Sequence, residues 1–415
     1  MDRDPAGQAP ATATALQVFL PFAAGYFLSY LYRSVNAVIS TDLIDEFGLS
    51  ASALGLLTSA YFLGFASLQI PVGILLDRVG PRRTNAALLL FAGTGALVFS
   101  MAEGLTGLLL GRTLIGFGVA ACLMSSIKAF TLWFPLERLP AMTGRIMFVG
   151  GLGAISATVP VEAALQVTDW RGLFQLLAVL TFGAAAIVFF LAPEKRDDRP
   201  HETFVGQLRG TAGVFVSPLF WRIALGTTLF QSFNMSVQGL WAGPWLVDVA
   251  GLGRQAVAFH LLALGVSTMT GFLFWGLLAA RLVRRGIEPI TVLIAASAMY
   301  MGVQMLLVLG VSNLALPIWI GWGFFGTSGS LAFAILSQQF PAHLTGRATT
   351  ALNLLVFLTA FASQWAFGAI VNHWPLAGGG YASGGYSVAF GVFLALQLCG
   401  FIWMLGGHRV RAARA

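Results

Sequence analysis

The sequence predicts an all-α membrane protein: twelve transmembrane helices in two pseudo-symmetric six-helix halves. Three observations carry that expectation. Hydrophobic residues make up 57% of the chain and charged residues only 9%, against roughly 25% charged in soluble domains. Too few polar side chains exist to cover a surface in water. Apolar runs long enough to cross about 30 Å of hydrocarbon recur from end to end. The basic residues, finally, are confined almost entirely to alternate connections, as expected of a polytopic helical protein.

The expected spans are residues 16–40, 51–76, 84–102, 105–133, 141–166, 172–192, 223–249, 257–280, 289–310, 314–339, 346–371 and 385–406. The longest polar stretch, 193–222, contains the run PEKRDDRPHE and separates the sixth span from the seventh. It divides the chain into an N-terminal tail (1–15), a first bundle (16–192), a linker (193–222), a second bundle (223–406) and a basic tail (407–415). The tail 1–15 lacks a basic run leading into a short apolar core, so the first span is read as an uncleaved targeting helix. With the N-terminus in the cytoplasm, 18 of the 23 basic residues fall on the cytoplasmic side and only Arg171 and Arg254 outside. That asymmetry predicts a multi-pass inner-membrane protein with both termini cytoplasmic. It also explains the net charge of +7 without a nucleic-acid partner. Basic residues of the last segment, Arg409, Arg411 and Arg414, are expected to meet anionic headgroups.

Enzymatic readings find no support. There is no phosphate-cradling glycine loop before a Lys-Ser/Thr pair, no Ser-His-Asp set and no paired carboxylates. Cys122 and Cys399 both sit in apolar runs, which leaves no disulfide framework or zinc spacing. No metal and no cofactor are expected.

Between the second and third spans the chain reads Gly73-Ile-Leu-Leu-Asp77-Arg78-Val-Gly80-Pro-Arg82-Arg83. Gly80 suits a tight turn, and Asp77 stands at a helix end where a carboxylate can meet a cation. A second copy follows 203 residues later, from Gly276 through Arg281 to Arg284-Arg285, with Ala280 in place of Asp77. Phe134-Pro135 after the fourth span likewise matches Phe340-Pro341 after the tenth. This loop and its repeat resemble the signature of the major facilitator superfamily. Leu108, Arg112, Gly116 and Gly118 look like that family's fourth-helix motif. The resemblance covers about the whole chain and implies alternating access, with Gly73, Asp77, Arg78, Gly80, Arg82 and Arg83 as a conformational latch. The alternative is a basic loop that only sets topology. Glu137, in the next loop on that side, is the expected partner of Arg78 or Arg82. The fifth span lacks the Gly-Pro element of drug antiporters; its Gly150, Ala154, Ala157 and Val161 read as a packing stripe against the other half. Lys128, Trp133-Phe134-Pro135, Gly346-Arg347 and Gln364-Trp365 are loosely similar to a bacterial sugar-phosphate and organic-anion permease branch.

Ionisable groups inside spans are costly and mark function by default. Arg33 shares a helical face of the first span with Tyr26, Ser29, Tyr30 and Asn36. This stripe is either a substrate-binding face or a belt around a snorkelling arginine. In the seventh span, Gln231, Asn234 and Gln238 share a face, for substrate or for helix association. Asn353 and Gln364 share one in the eleventh, with the same two readings. Lys128 is expected to snorkel, and His260 to be interfacial. Arg112 and Glu162 lie roughly 10 and 13 Å outward from the middles of neighbouring spans, which suggests an ion pair. Glu162 is the candidate protonatable coupling group. Three intramembrane cations, Arg33, Arg112 and Lys128, against one clear anion, Glu162, favour an anionic or zwitterionic small-molecule substrate. The function expected is therefore a monomeric secondary carrier in the lipid bilayer, with protons as a candidate coupling ion. The alternatives are a dipeptide-type uniporter and a non-transporting receptor on a carrier fold.

Overall fold

A computed structural model describes residues 12–135, 138–195, 206, 212–340 and 342–412. Glu137 and half of the linker (196–205 and 207–211) lie outside the described residues. The first span is built from Thr12–Ser34 and Asn36–Phe47 and runs seven residues beyond the expected end, because a helix continues past the hydrocarbon where Asp42, Asp45 and Glu46 can be hydrated. Gly48 closes it at φ 60°, its N–H donating to Ile44 O at 2.8 Å. Ser50 then caps the second span by accepting from Ala53 N, an orphan donor of the first turn. That span bends by 43° between Ala51–Ser67 and Gln69–Arg78. Gly80, at φ 90°, makes the turn into the third span, Pro81–Ser100, a backbone conformation that favours glycine.

The remaining spans are Leu105–Val119 with Cys122–Trp133, Leu139–Ser156 with Val159–Leu165, Trp170–Leu191, Pro218–Ser236 continuing to Asp248, Arg254–Val283, Pro289–Val308, Ala315–Gln339, Ala342–Val371 and Ser383–Ala412. Among the described residues, eight helices are long and apolar enough to cross a membrane, or nine with the bent second span. The other three have visible causes. The third span opens on Arg82 and Arg83. The seventh is interrupted by a π-helical turn at Val237–Trp241, and the tenth by a 3₁₀ turn at Thr327–Ser330.

Small residues let the halves approach at the end of the molecule distant from the chain termini, the far end. A Cβ on Gly243 of the seventh span would collide with Ala37 O of the first. Gly55 and Gly368 do the same for the second and eleventh spans, against Gln364 O and Ala51 O. Nearer the terminal end these two spans meet through stacked Phe65 and Phe357 rings, 4.1 Å apart, and a 2.6 Å bond from Asn353 Nδ2 to Gln69 Oε1. The expected fifth-span stripe is not a seam with the other half throughout. Its Gly150 packs on Tyr26 and Tyr30 of the same half, and its Ala154 lines a cavity between the halves. The neighbouring glycines outside the stripe divide their contacts: Gly153 fits against Phe27 of the first span, in the same half, while Gly151 faces Met269 of the other half.

Candidate functional site: a cavity between the halves

A cavity of about 350 Å³ lies between the first and fifth spans of one half and the seventh and eighth of the other. Tyr30, Arg33, Gln231, Asn234 and Gln238 line it. Arg33 sits just before the break at Val35, half-buried, with its guanidinium carbon 4.4 Å from the Tyr30 ring centroid, 5.6 Å from Phe357 and 6.0 Å from Phe65. Ring faces attract a cation but do not neutralise it. Among the described residues no carboxylate pairs with Arg33 or lines the cavity, and its buried Nε has no hydrogen-bond partner.

The seventh span supplies amides. Asn234 Oδ1 and Gln231 Oε1 are buried without hydrogen-bond partners. They press into the space left by Gly326 and Gly329 of the tenth span, where a Cβ would overlap them. That turns their nitrogen ends toward the cavity. Gln238 is arranged the other way: its Nε2 donates to Thr268 Oγ1 at 3.0 Å, and Thr268 in turn donates to Leu264 O. The π-helical turn, which starts at Val237, offsets Gln238 from the register of a plain α-helix; such turns recur at functional sites.

Other sequence candidates go elsewhere. Tyr26 is buried behind Tyr30, in edge contact at 5.1 Å, with its hydroxyl on Met147 Sδ. Asn36 lies past the helix break and donates to Thr58 Oγ1 at 2.9 Å. Asn353 is taken up by Gln69. Gln364 is fully buried under Trp241, whose indole donates to its carbonyl. Arg112 is also fully buried. It donates to Tyr32 O at 2.9 Å and lies over Tyr61 and Phe99, so it reaches neither the cavity nor Glu162.

The expected Arg112–Glu162 pair is therefore replaced. Glu162 meets Arg254, from Nε at 3.1 and 3.2 Å. Arg254 also forks onto Asp42 at 2.7 and 2.9 Å, which ties the two halves at the far end. A second tie lies close by: Ala51 N donates to Tyr381 Oη at 2.7 Å, and Asp248 accepts from Tyr381 N and Tyr386 Oη. Arg254 is one of the two basic residues expected outside, and nothing in its spacing points to two carboxylates far away in sequence.

Lys128 does not snorkel free. Its Nζ pairs with Asp77 Oδ1 at 2.8 Å, within one half. Arg82 and Arg83 meet Glu194 at 3.7 and 3.0 Å, so Arg82 has a partner other than the expected Glu137. Gly73 lies half-buried in the helix that ends at Arg78, and Arg78 is exposed. His260 Nδ1 lies 2.7 Å from Ala256 O in its own helix. Among the described residues no group of His, Cys, Asp and Glu could hold a metal.

Residues 22–364 match the Major Facilitator Superfamily. The chain belongs to this family. It is 25% identical over 274 residues, 63% of its length, to a "probable sulfoacetate transporter" of Cupriavidus necator. It is 26% identical over 244 residues, 56% of its length, to the hexuronate transporter of Bacillus subtilis. The matched regions span 64% and 56% of those relatives, less than two thirds of each. In fold, the chain resembles a bacterial homolog of the human lysosomal transporter Spinster, crystallised inward-facing and occupied: TM-score 0.80, 16% identity, 96% of this chain and 98% of that one.

Proposed function

We propose that this chain is a secondary carrier that moves a small organic anion across the membrane by alternating access, with Arg33 as the anion-binding group. One observation carries the reading: a guanidinium with no carboxylate partner at a cavity between the two halves. An unpaired cation away from bulk water is costly. A bound carboxylate, phosphate or sulfonate would relieve that cost, and arginine's planar fork suits such groups. Amide nitrogens of Gln231 and Asn234 add donors on the same side. A zwitterion fits less well, since its ammonium would find mainly the Gln238 oxygen. The relatives named for sulfoacetate and hexuronate support an anionic cargo.

The far-end contacts support alternating access, because each is a polar or small-residue contact that can separate without opening a core. In this reading Arg254 holds the far end shut, and protonation of Glu162 or Asp42 would loosen it, which makes protons the candidate coupling ion. Asp77 acts with Lys128 inside one half to shape the terminal end. The basic loops support a cytoplasmic position for both termini, and the reading takes one chain as the transport unit.

The test is binding by the purified, reconstituted protein across a panel of organic anions, amines and dipeptides, repeated with Arg33→Ala and Arg33→Lys. Losing a charge-assisted contact in a partly dry cavity costs about 2–5 kcal/mol, roughly 30- to several-thousand-fold in affinity. Lysine restores only part of this, since it keeps the charge and loses the fork. Wild-type anion affinity in a correctly inserted Arg33→Ala protein would refute the assignment.

A further inference from the structure

We infer that the cargo is an organic monoanion with an apolar body, a carboxylate or sulfonate on an alkyl, aryl or thioether group, and not a polyhydroxylated or dianionic acid. This rests on the anion reading above and narrows it against both relatives, since a hexuronate is polyhydroxylated and sulfoacetate carries two anionic groups.

Charge sets the first limit. Arg33 is the cation among the residues lining the cavity. Arg112 is sealed inside one half on Tyr32 O. Lys128, Arg82 and Arg83 belong to a separate pocket at the terminal end, with Asp77 and Glu194 beside them. A second anionic group in the cavity would meet no second cation, and a buried charge without a partner is strongly disfavoured.

The walls set the second limit. Met147 and Phe148 of the fifth span, Met235 of the seventh, and Met269, Phe272 and Leu273 of the eighth form the apolar part of the lining. None of these side chains offers a strong hydrogen-bonding group. The hydroxyls of a sugar acid would lose water there and gain nothing in return, whereas an apolar body would be desolvated favourably. Three thioethers on one surface also adapt to different apolar shapes. This suits a carrier that accepts a class of apolar acids. On the polar side, Gln238 has its nitrogen engaged by Thr268 and retains an oxygen able to accept from one hydroxyl. Tyr30, Ser34 and Ser330 add hydroxyls to the lining, so the cavity can meet a few donors on the cargo at these positions, but not a ring of hydroxyls that also faces the methionine and phenylalanine walls.

The experiment compares binding of butanoate, hexanoate, phenylacetate, succinate and glucuronate to the full-length protein in detergent or nanodiscs. Each is measured on wild type, Arg33→Ala and Met269→Gln. The expected result is a rise of about fourfold per added methylene from butanoate to hexanoate. Phenylacetate should bind at least tenfold more tightly than glucuronate or succinate, and every carboxylate should weaken in Arg33→Ala. Met269→Gln should cut phenylacetate affinity severalfold and leave glucuronate unchanged or improved. Tightest binding of glucuronate or succinate, still dependent on Arg33, would overturn this inference and leave the organic-anion reading standing. Carboxylate binding that is absent, or indifferent to Arg33→Ala, would overturn both.

Discussion

Replacing Arg254 with alanine should unfasten the far end of the molecule. The guanidinium makes a two-pronged contact with Asp42 and a second contact with Glu162. The three side chains are 45%, 26% and 10% exposed respectively. Exposed pairs contribute about 0.2–1 kcal/mol, and the Asp42 contact belongs near the top of that range because it is bidentate. The Glu162 contact is drier, and hydrogen bonds to charged groups reach about 1.5–3 kcal/mol. Discounted for solvent around Arg254, the junction contributes on the order of 1–3 kcal/mol to the closed arrangement, a shift of roughly 5- to 150-fold. The assay is a spin-label distance measurement between Val167 and Leu376, exposed far-end positions in opposite halves, with Cys399 replaced. Wild type should give one short population, and Arg254→Ala should add a longer one. Arg254→Lys should fall between, keeping charge without the fork. Asp42→Asn combined with Glu162→Gln, which mimics protonation, should resemble Arg254→Ala. An unchanged distance distribution in Arg254→Ala, with and without bound anion, would refute the claim that this junction holds the halves together.

Asp77 and Lys128 should couple in a double-mutant cycle by about 0.2–1 kcal/mol of thermal stability, given their 32% and 20% exposure; zero coupling would reduce the contact to proximity. Cysteines placed at Asp45 and Gly379 should react with an impermeant reagent from outside the cell, and one at Val79 should not; labelling of all three from one side would break the topology. Arg112→Met should fold, with stability unchanged or raised by up to about 4 kcal/mol, and should keep anion affinity within about twofold, read by thermal melting and binding together. A large affinity loss there would return Arg112 to the binding site.

Depth along a helix was legible in the sequence; azimuth was not. Counting 1.5 Å per residue placed Arg112 and Glu162 at similar heights, yet their side chains point to different partners, because the rotation of each span is fixed by packing. Arg112 turns inward where Gly116 lets Tyr61 of the second span approach. Helical spacing also does not say which neighbour a side chain will meet. Asn36 was assigned to the face of Arg33 by an i+3 offset, but its side chain is held by the second span, where its Nδ2 donates to Thr58 Oγ1. The amides of the seventh span share a cavity despite the π-helical turn, since Gln231 and Asn234 precede it. Which end of each amide faces the cavity could not be read from the chain at all. It depends on Gly326 and Gly329, nearly a hundred residues away, leaving room for the oxygens. The signature loop was the opposite case: Gly80 carries its turn locally, so the residue type already implied the geometry.

Arg33 and Arg112 present nearly the same signal in sequence, a guanidinium inside a span, and separate only in three dimensions. Arg112 donates from Nη1 to a backbone carbonyl, has zero exposure, and keeps its unpartnered Nε and Nη2 sealed where no ligand reaches them. It cannot exchange partners without unpacking Tyr61 and Phe99, so its environment stays the same whatever the cavity holds. Arg33 has rings around it, partial exposure and an unmet Nε. Its electrostatic cost is therefore not paid off within the protein, and an anion that enters between the halves changes its free energy directly. A ligand can bias a conformational equilibrium only through such differential interaction. Because Tyr30 and Arg33 belong to one half and Gln231, Asn234 and Gln238 to the other, an anion gripped from both sides would favour the arrangements in which those sides are close. The same substitution, arginine to alanine, should therefore weaken substrate-driven closure at position 33 and leave it intact at position 112.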